Sequence, residues 1–294
     1  MKAMFTMMNN ARINVGSQGV QIAERATQQA SRFATERVQS ARAGSGDKTP
    51  VAIIEHPDVR RMLLRSKALT QAARALLYYA TSSVDRATLG IEGAKSRAEI
   101  LTPLIKGYGT DIGNEVASLG VQVHGGMGFI EETGAGQHFR DARIAPIYEG
   151  TNGIQAADLV GRKLGLDGGE AMATLISDIR AEAEGDESLL ALADTCEHIR
   201  QWMASGDASI DDRLAGSYAF MTMLATATCG MLMKKQHRIA SAELAEGDDP
   251  FLKAKLVTTR YYLDHIVPEA LGLKAAAMGG ADILYSLNSA ELAG

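Results

Sequence analysis

Apolar residues return every three or four positions through three long stretches of this chain, which favours helices over sheet. Ile13, Val20, Ile22, Ala23, Ala26, Ala30, Phe33 and Ala34 share one helical face and predict a single helix from residue 3 to about 40. The turn-forming GSGDKTP (44–50) follows it. Pro57, suited to a first helical position, opens a second helix that Val59, Met62, Leu63, Leu69, Ala73, Leu76 and Leu77 carry toward Ala87. A third runs over about 94–123, with a kink or late start expected at Pro103. Thr151 can cap a helix to about Leu164, and GLDGG (165–169) reads as a domain boundary. Further helices are predicted near 170–184, 187–204, 209–236, 250–266 and 268–279, and no strand pair is evident. The expected fold is all-α: an antiparallel four-helix-type bundle over 1–164, then a second helical bundle over 165–294.

Composition narrows the function. Thirty basic against thirty-five acidic residues, with no basic block, argue against a nucleic-acid surface. Cys196 and Cys229 form no CxxC and have no nearby histidine pair, so neither a zinc site nor a disulfide framework is expected. Reduced core thiols in a cytoplasmic protein fit better. The N-terminus lacks the features of a signal peptide. Leu214 to Met233 is 20 residues long without a charge, enough to span a bilayer, but its serine, threonines and glycines make it only modestly apolar. It is expected to be a buried helix of the second bundle.

The 27 residues from His124 to Gly150 are glycine-rich, lack a helical period and predict an irregular, functional loop. Within them GGMG could cradle a phosphate or simply allow a turn. A dinucleotide fingerprint would need a preceding strand and other spacing. Glu149 sits in a Tyr-Glu-Gly turn before Thr151. It could be an acid favoured by the helix dipole or a general base projecting from the turn, and spacing leaves both open.

RDARIAPIYEGTNGIQ (140–155) resembles the catalytic segment of acyl-CoA dehydrogenases, in which a glutamate occupies a Tyr-Glu-Gly-Thr turn. QVHGGMGF (122–129) resembles the family's flavin-binding glycine loop. ARINVGSQGVQIAERATQQASRFATERVQ (11–39) and HPDVRRMLL (56–64) resemble the first two helices of its C-terminal bundle. The matches cover residues 5–164 in the family's order. Residues 165–294 resemble, less specifically, the extra helical domain of the long, roughly 600-residue bacterial branch.

The resemblance implies FAD-dependent α,β-dehydrogenation of an acyl-CoA to a trans-2-enoyl-CoA. Glu149 would remove the α proton while a β hydride passes to the flavin N5. Gly150, with Asn9 and Arg12, would meet substrate. Thr151, Asn152 and Gly153 would meet FAD, and Gln122, Val123, His124, Gly125 and Gly126 would hold its adenine and pyrophosphate side. Arg37 and Gln39 would complete that site, Arg37 often reaching a flavin phosphate across a subunit boundary. Electron-transfer flavoprotein would be the electron acceptor and a homodimer or tetramer the assembly, with no metal, nucleic acid or membrane span. Fatty acid β-oxidation would be the setting.

The sequence departs from the family pattern at Ser40 and Ala41, in a longer Arg42–Ile53 loop, and at Gly153, where glutamine or glutamate is common. The family also places a helical and a β-domain before the equivalent of residue 5, so the chain reads as a C-terminal half. Alone, it is expected to bind FAD weakly or not at all and to leave Glu149 exposed. Alternatives are a 3-methylthiopropanoyl-CoA substrate, a non-catalytic helical assembly module, and an AidB-like flavoprotein. The flavin reading further expects Gln122–Phe129 and Tyr148–Gly153 to lie together at one end of the bundle.

Overall fold

A computed structural model describes residues 2–294; Met1, the first residue of the expected 1–164 domain, lies outside them. Helix α1 (Lys2–Glu36) leads into strands β1 (Val38–Ala41) and β2 (Pro50–Ala52), followed by helices α2 (Pro57–Thr88) and α3 (Ala94–His124). The two strands form an antiparallel ribbon and correct the expectation that no strands pair. Two short extended segments meet across the 42–49 turn, and neither is long enough to show a period in the sequence. α1 accordingly stops at Glu36, not near residue 40. α3 starts at Ala94 and runs through Pro103 to His124, so the expected late start does not occur.

Helix α2 lies antiparallel to its neighbours, pairing Arg74 with Glu24 and Arg65 with Glu115. α1 and α3 run parallel and approach so closely that glycines mark the crossing. A Cβ on Gly16 would fall 2.7 Å from the Ile105 carbonyl oxygen, and one on Gly19 2.3 Å from that of Gly109. Sequence periodicity did not reveal this contact, because glycines carry no apolar signal.

The fourth rod of the bundle is broken. After α4 (Gly126–Phe129), α5 (Ala135–Ala142) descends along α1 and α3, with Gln29 bonded to His138 and Asn114 to the Ala142 carbonyl. The chain then turns over residues 143–151 and resumes as α6 (Asn152–Asp158), extended by a wider π-turn, Leu159–Lys163. The expected irregular loop is therefore partly helical. Its short helices were hidden because their glycines erase the period.

Helices α7 (Glu170–Glu182), α8 (Glu187–Ala204), α9 (Ile210–Leu244), α10 (Pro250–Tyr261), α11 (Val267–Leu271), α12 (Lys274–Met278) and α13 (Ser289–Ala293) follow. Ser209 and Asp212 form a reciprocal capping box that starts α9, and Asp249 caps α10 just before Pro250. α9 packs on α2, α3 and α6 as well as on α7, α8, α10 and α12, and a single core runs through both halves of the chain. Most of the uncharged 214–233 stretch lies in this core, Leu214 and Tyr218 being exposed, with Thr222 and Thr228 bonded back to the carbonyls of Tyr218 and Leu224. Among the described residues no helix is long and apolar enough to cross a membrane. Cys196 and Cys229 are buried free thiols, the Cys229 Sγ lying 3.5 Å from the Ala72 carbonyl, and burial pushes the Cys229 thiol up to about 12.

Candidate active site

The break in the fourth rod presents Glu149. Its backbone is left-handed (φ 55°), as is that of Gly150 (φ 80°). A non-glycine residue there costs about 1–2 kcal/mol, so the surroundings must hold it. They do so from three sides. Gln155, fully buried, directs Nε2 at the carbonyl oxygens of Glu149 and Gly150, at 3.3 and 3.2 Å. The Asn152 N–H donates to the Pro146 carbonyl at 2.9 Å, and the Tyr148 hydroxyl donates to Gln18 on α1. Thr151 caps α6 through a bond from the Ile154 N–H at 3.2 Å. Held in this way, the Glu149 side chain projects into solvent.

Beneath the turn lies a buried polar cluster. Asn152 Nδ2 lies 3.0 Å from the Gly107 carbonyl, 2.9 Å from Thr110 Oγ1 and 2.8 Å from Asp111 Oδ1. Its Oδ1 accepts from Lys106 Nζ at 2.9 Å. Lys106 is 0% exposed. Burial pushes its amine down to about 8; Asp111 and Glu149 oppose that shift and Arg12 adds to it. Arg12 is itself buried, with Nη1 3.4 Å from Asp158 and Nε without a partner among the described residues.

A lowered lysine pKa means that the unfolded chain binds more protons between about 8 and the usual 10.5, so stability rises with pH across that window. Wild type should gain on the order of 1–3 kcal/mol over a Lys106→Met variant from pH 8 to 10. The raised tyrosines and cysteines titrate in the opposite sense but cancel in this comparison. Parallel melting-temperature curves for the two proteins across that range would refute the assignment.

The residues expected to hold a cofactor do not form a single pocket. Gln122, Val123, His124, Gly125 and Gly126 lie at the C-terminal end of α3, where His124 stacks on Phe33 of α1; Arg37 follows α1 directly and Gln39 lies in β1. Asn152 meets α3 near Thr110, fourteen residues or roughly 20 Å of helix away from His124. The expectation that Gln122–Phe129 and Tyr148–Gly153 lie together is thus corrected: α5 spans the interval between them.

Within the first cluster, Val123 is buried in a small core with Ala30, Ala34, Ile53 and Met62. His124 is buried against Phe33 (ring centroids 4.4 Å apart), with Nδ1 2.6 Å from the Gly120 carbonyl. Gln122, Gly125 and Gly126 are exposed, as are Arg37 and Gln39, which bond to each other at 3.0 Å. Beside them a cleft of about 370 Å³ is lined by Arg25, Arg32, Glu36, Gln28, Gln29, Phe33, His124 and Thr133. In the second cluster Gly150 is half-buried, Thr151 and Gly153 are exposed, and the Asn152 side chain faces α3. Asn9 is half-buried one turn before Arg12.

Sequence reading missed Gln155, Lys106, Asp111 and the lining arginines. Lys106 left a signal, being a lone cation inside the otherwise uncharged LTPLIKGYGT (101–110).

Comparison with known proteins gives the family. The family model for the acyl-CoA dehydrogenase C-terminal domain matches residues 1–164, and one described as acetyl-CoA dehydrogenase C-terminal like matches 171–288. The chain belongs to the acyl-CoA dehydrogenase family. A 3-methylmercaptopropionyl-CoA dehydrogenase of Ruegeria pomeroyi is 44% identical over 92% of this chain and 49% of its own length. A butyryl-CoA dehydrogenase of Syntrophomonas wolfei is 34% identical over 96% of this chain and 49% of its own. The chain thus spans about half the length of the curated relatives it matches. An acyl-CoA dehydrogenase from Bacillus anthracis, solved with FAD, shares the fold with a TM-score of 0.73 at 18% identity, over 99% of this chain and 51% of that one.

Proposed function

We propose that this chain supplies the catalytic base and part of the FAD site of an acyl-CoA dehydrogenase. The observation that carries the reading is Glu149: a carboxylate on a strained turn, fixed from below and open above. Among the described residues no acceptor pairs with the Glu149 or Gly150 N–H. As Glu149 Oε takes the α proton, these donors can face the thioester oxygen where negative charge develops. Gly150 leaves the approach clear of a side chain.

The fit to FAD rests on the cleft beside Gly125. Arg25 and Arg32 line it, neither bound in an ion pair among the described residues, and a Cβ at Gly125 or Gly126 would meet nothing within 4 Å. Arg37, Gln39 and the exposed Gln122, Gly125 and Gly126 would hold the phosphate side. The buried Val123, His124 and Asn152 side chains would act by shaping backbone. Bound FAD would supply the two-electron acceptor for the β hydride.

The interval of roughly 20 Å between the clusters favours a flavin phosphate contributed across a subunit boundary in a homo-oligomer. Phe129, 85% exposed beside the glycine loop, is in keeping with such a contact. Arg12 and Asn9 would border the acyl-CoA. The relative that is 44% identical supports 3-methylthiopropanoyl-CoA as a substrate beside straight-chain acyl-CoAs in β-oxidation. Electron-transfer flavoprotein would take the electrons, in a cytoplasmic setting.

The test is the visible spectrum of the chain with FAD, alone and mixed with the preceding half of a relative, before and after adding butyryl-CoA or 3-methylthiopropanoyl-CoA. Flavin bound in the mixture and bleached by substrate is the expected result, with weak or no binding by the chain alone. Absence of flavin binding in both arrangements would favour the helical-module reading instead.

A further inference from the structure

The Glu149 turn is braced by a residue from outside the four-rod bundle. Tyr218, on α9, donates Oη to Asp111 Oδ2 at 2.6 Å. Asp111 Oδ1 lies 2.8 Å from Asn152 Nδ2, and Asn152 Oδ1 accepts from Lys106 Nζ at 2.9 Å. Asn152 opens α6 beside the capping Thr151, three residues from Glu149. A continuous path of hydrogen bonds therefore joins the middle of α9 to the strained turn.

We infer that Tyr218 is a positioning residue for Glu149, through which the segment after residue 164 holds the base turn in its left-handed shape. The catalytic half of this inference rests on the proposed role of Glu149; the structural half does not. Two consecutive left-handed residues relax unless several contacts over-determine them, and Asn152, directly after the turn, is riveted into α3 by its side chain. Asp111 holds Asn152 while its carboxylate remains charged. Burial raises its pKa, whereas the Tyr218 and Asn152 donors, Lys106 from α3 and Arg143 from the turn favour the ionised form. Removing the tyrosine hydroxyl withdraws the donor that comes from α9. The carboxyl can then protonate or swing toward Arg143, and Asn152 loses its fixed acceptor.

Tyr218→Phe keeps the ring and its packing. Amide hydrogen exchange of residues 148–155, measured on the full 294-residue chain, should speed up roughly tenfold in this variant, the size expected for a lost bond to a charged group. Protection in α8 should not change. In the flavin-loaded enzyme, kcat should fall roughly tenfold with KM nearly unchanged, since binding contacts remain. Asp111→Asn provides a second variant should Tyr218→Phe fold poorly, and should show the same local pattern. Unchanged exchange at 148–155 would overturn the inference. So would faster exchange spread evenly through α8 and α9, which marks a merely structural tyrosine. Glu149→Gln in the same assay separates the two claims. If it retains activity while Tyr218→Phe still loosens the turn, the base assignment falls and the brace stands.

Discussion

Glu149→Gln in the flavin-loaded enzyme is expected to leave flavin bound and oxidised when acyl-CoA is added, with the reduction rate lower by about 10²- to 10⁴-fold. An amide of the same shape cannot accept the α proton, and no other carboxylate stands on this turn. The change should be clean because the Glu149 side chain is exposed and makes no hydrogen bond or ion pair among the described residues. Stability should stay within about 0.5 kcal/mol of wild type, as for other surface substitutions. The turn itself is held through backbone carbonyls, which Gln155 grips whatever side chain stands at position 149. Glu149→Asp makes the complementary test: it keeps the base but withdraws it by one methylene, so the loss should be smaller than for glutamine. Full reduction by substrate in Glu149→Gln would remove the base assignment, whereas loss of bound flavin would show that the residue serves binding instead.

The long helices were legible because each buries one face and so repeats its apolar residues. Pro57 and Pro250 sit at helix starts, and Thr151 caps α6 as its position before the 152–158 run suggested. The Glu149 turn was legible as a motif, but its support was not. Gln155, Lys106 and Asp111 act through contacts made by folding, and Tyr218 arrives from 107 positions beyond Asp111. No local spacing encodes such a meeting. The grouping of the glycine loop with the turn failed for a related reason. The two are close in sequence, yet α5 carries the chain a long way down the bundle between them. Val123 and His124 follow the same lesson from the other side: they lie within the loop motif, but helix geometry turns their side chains into the protein.

Gly19→Ala is expected to destabilise the fold more than any other single methyl group added at the α1–α3 crossing. The new Cβ would lie 2.3 Å from the Gly109 carbonyl oxygen and 2.8 Å from Thr110 Cα. Both are backbone atoms inside a helix, so no side chain can swing away and the two helices must part. Alanine's better helix propensity returns about 1 kcal/mol. Overpacking against rigid backbone costs more, leaving a net loss on the order of 2–3 kcal/mol. For a chain of this size that corresponds to a melting temperature lower by roughly 5–10 °C. Gly120→Ala provides the control on the same face of α3. Its Cβ would meet Ala26 at 3.5 Å, an ordinary contact, so propensity should dominate and the variant should melt at or above the wild-type temperature. The damage at Gly19 also reaches the site, because Gly109 and Thr110 lie between Lys106 and Asp111, the residues that hold Asn152. Exchange at residues 148–155 should therefore quicken in Gly19→Ala and not in Gly120→Ala. Equal melting temperatures for Gly19→Ala and wild type would mean that the helices do not cross as closely as their glycines imply.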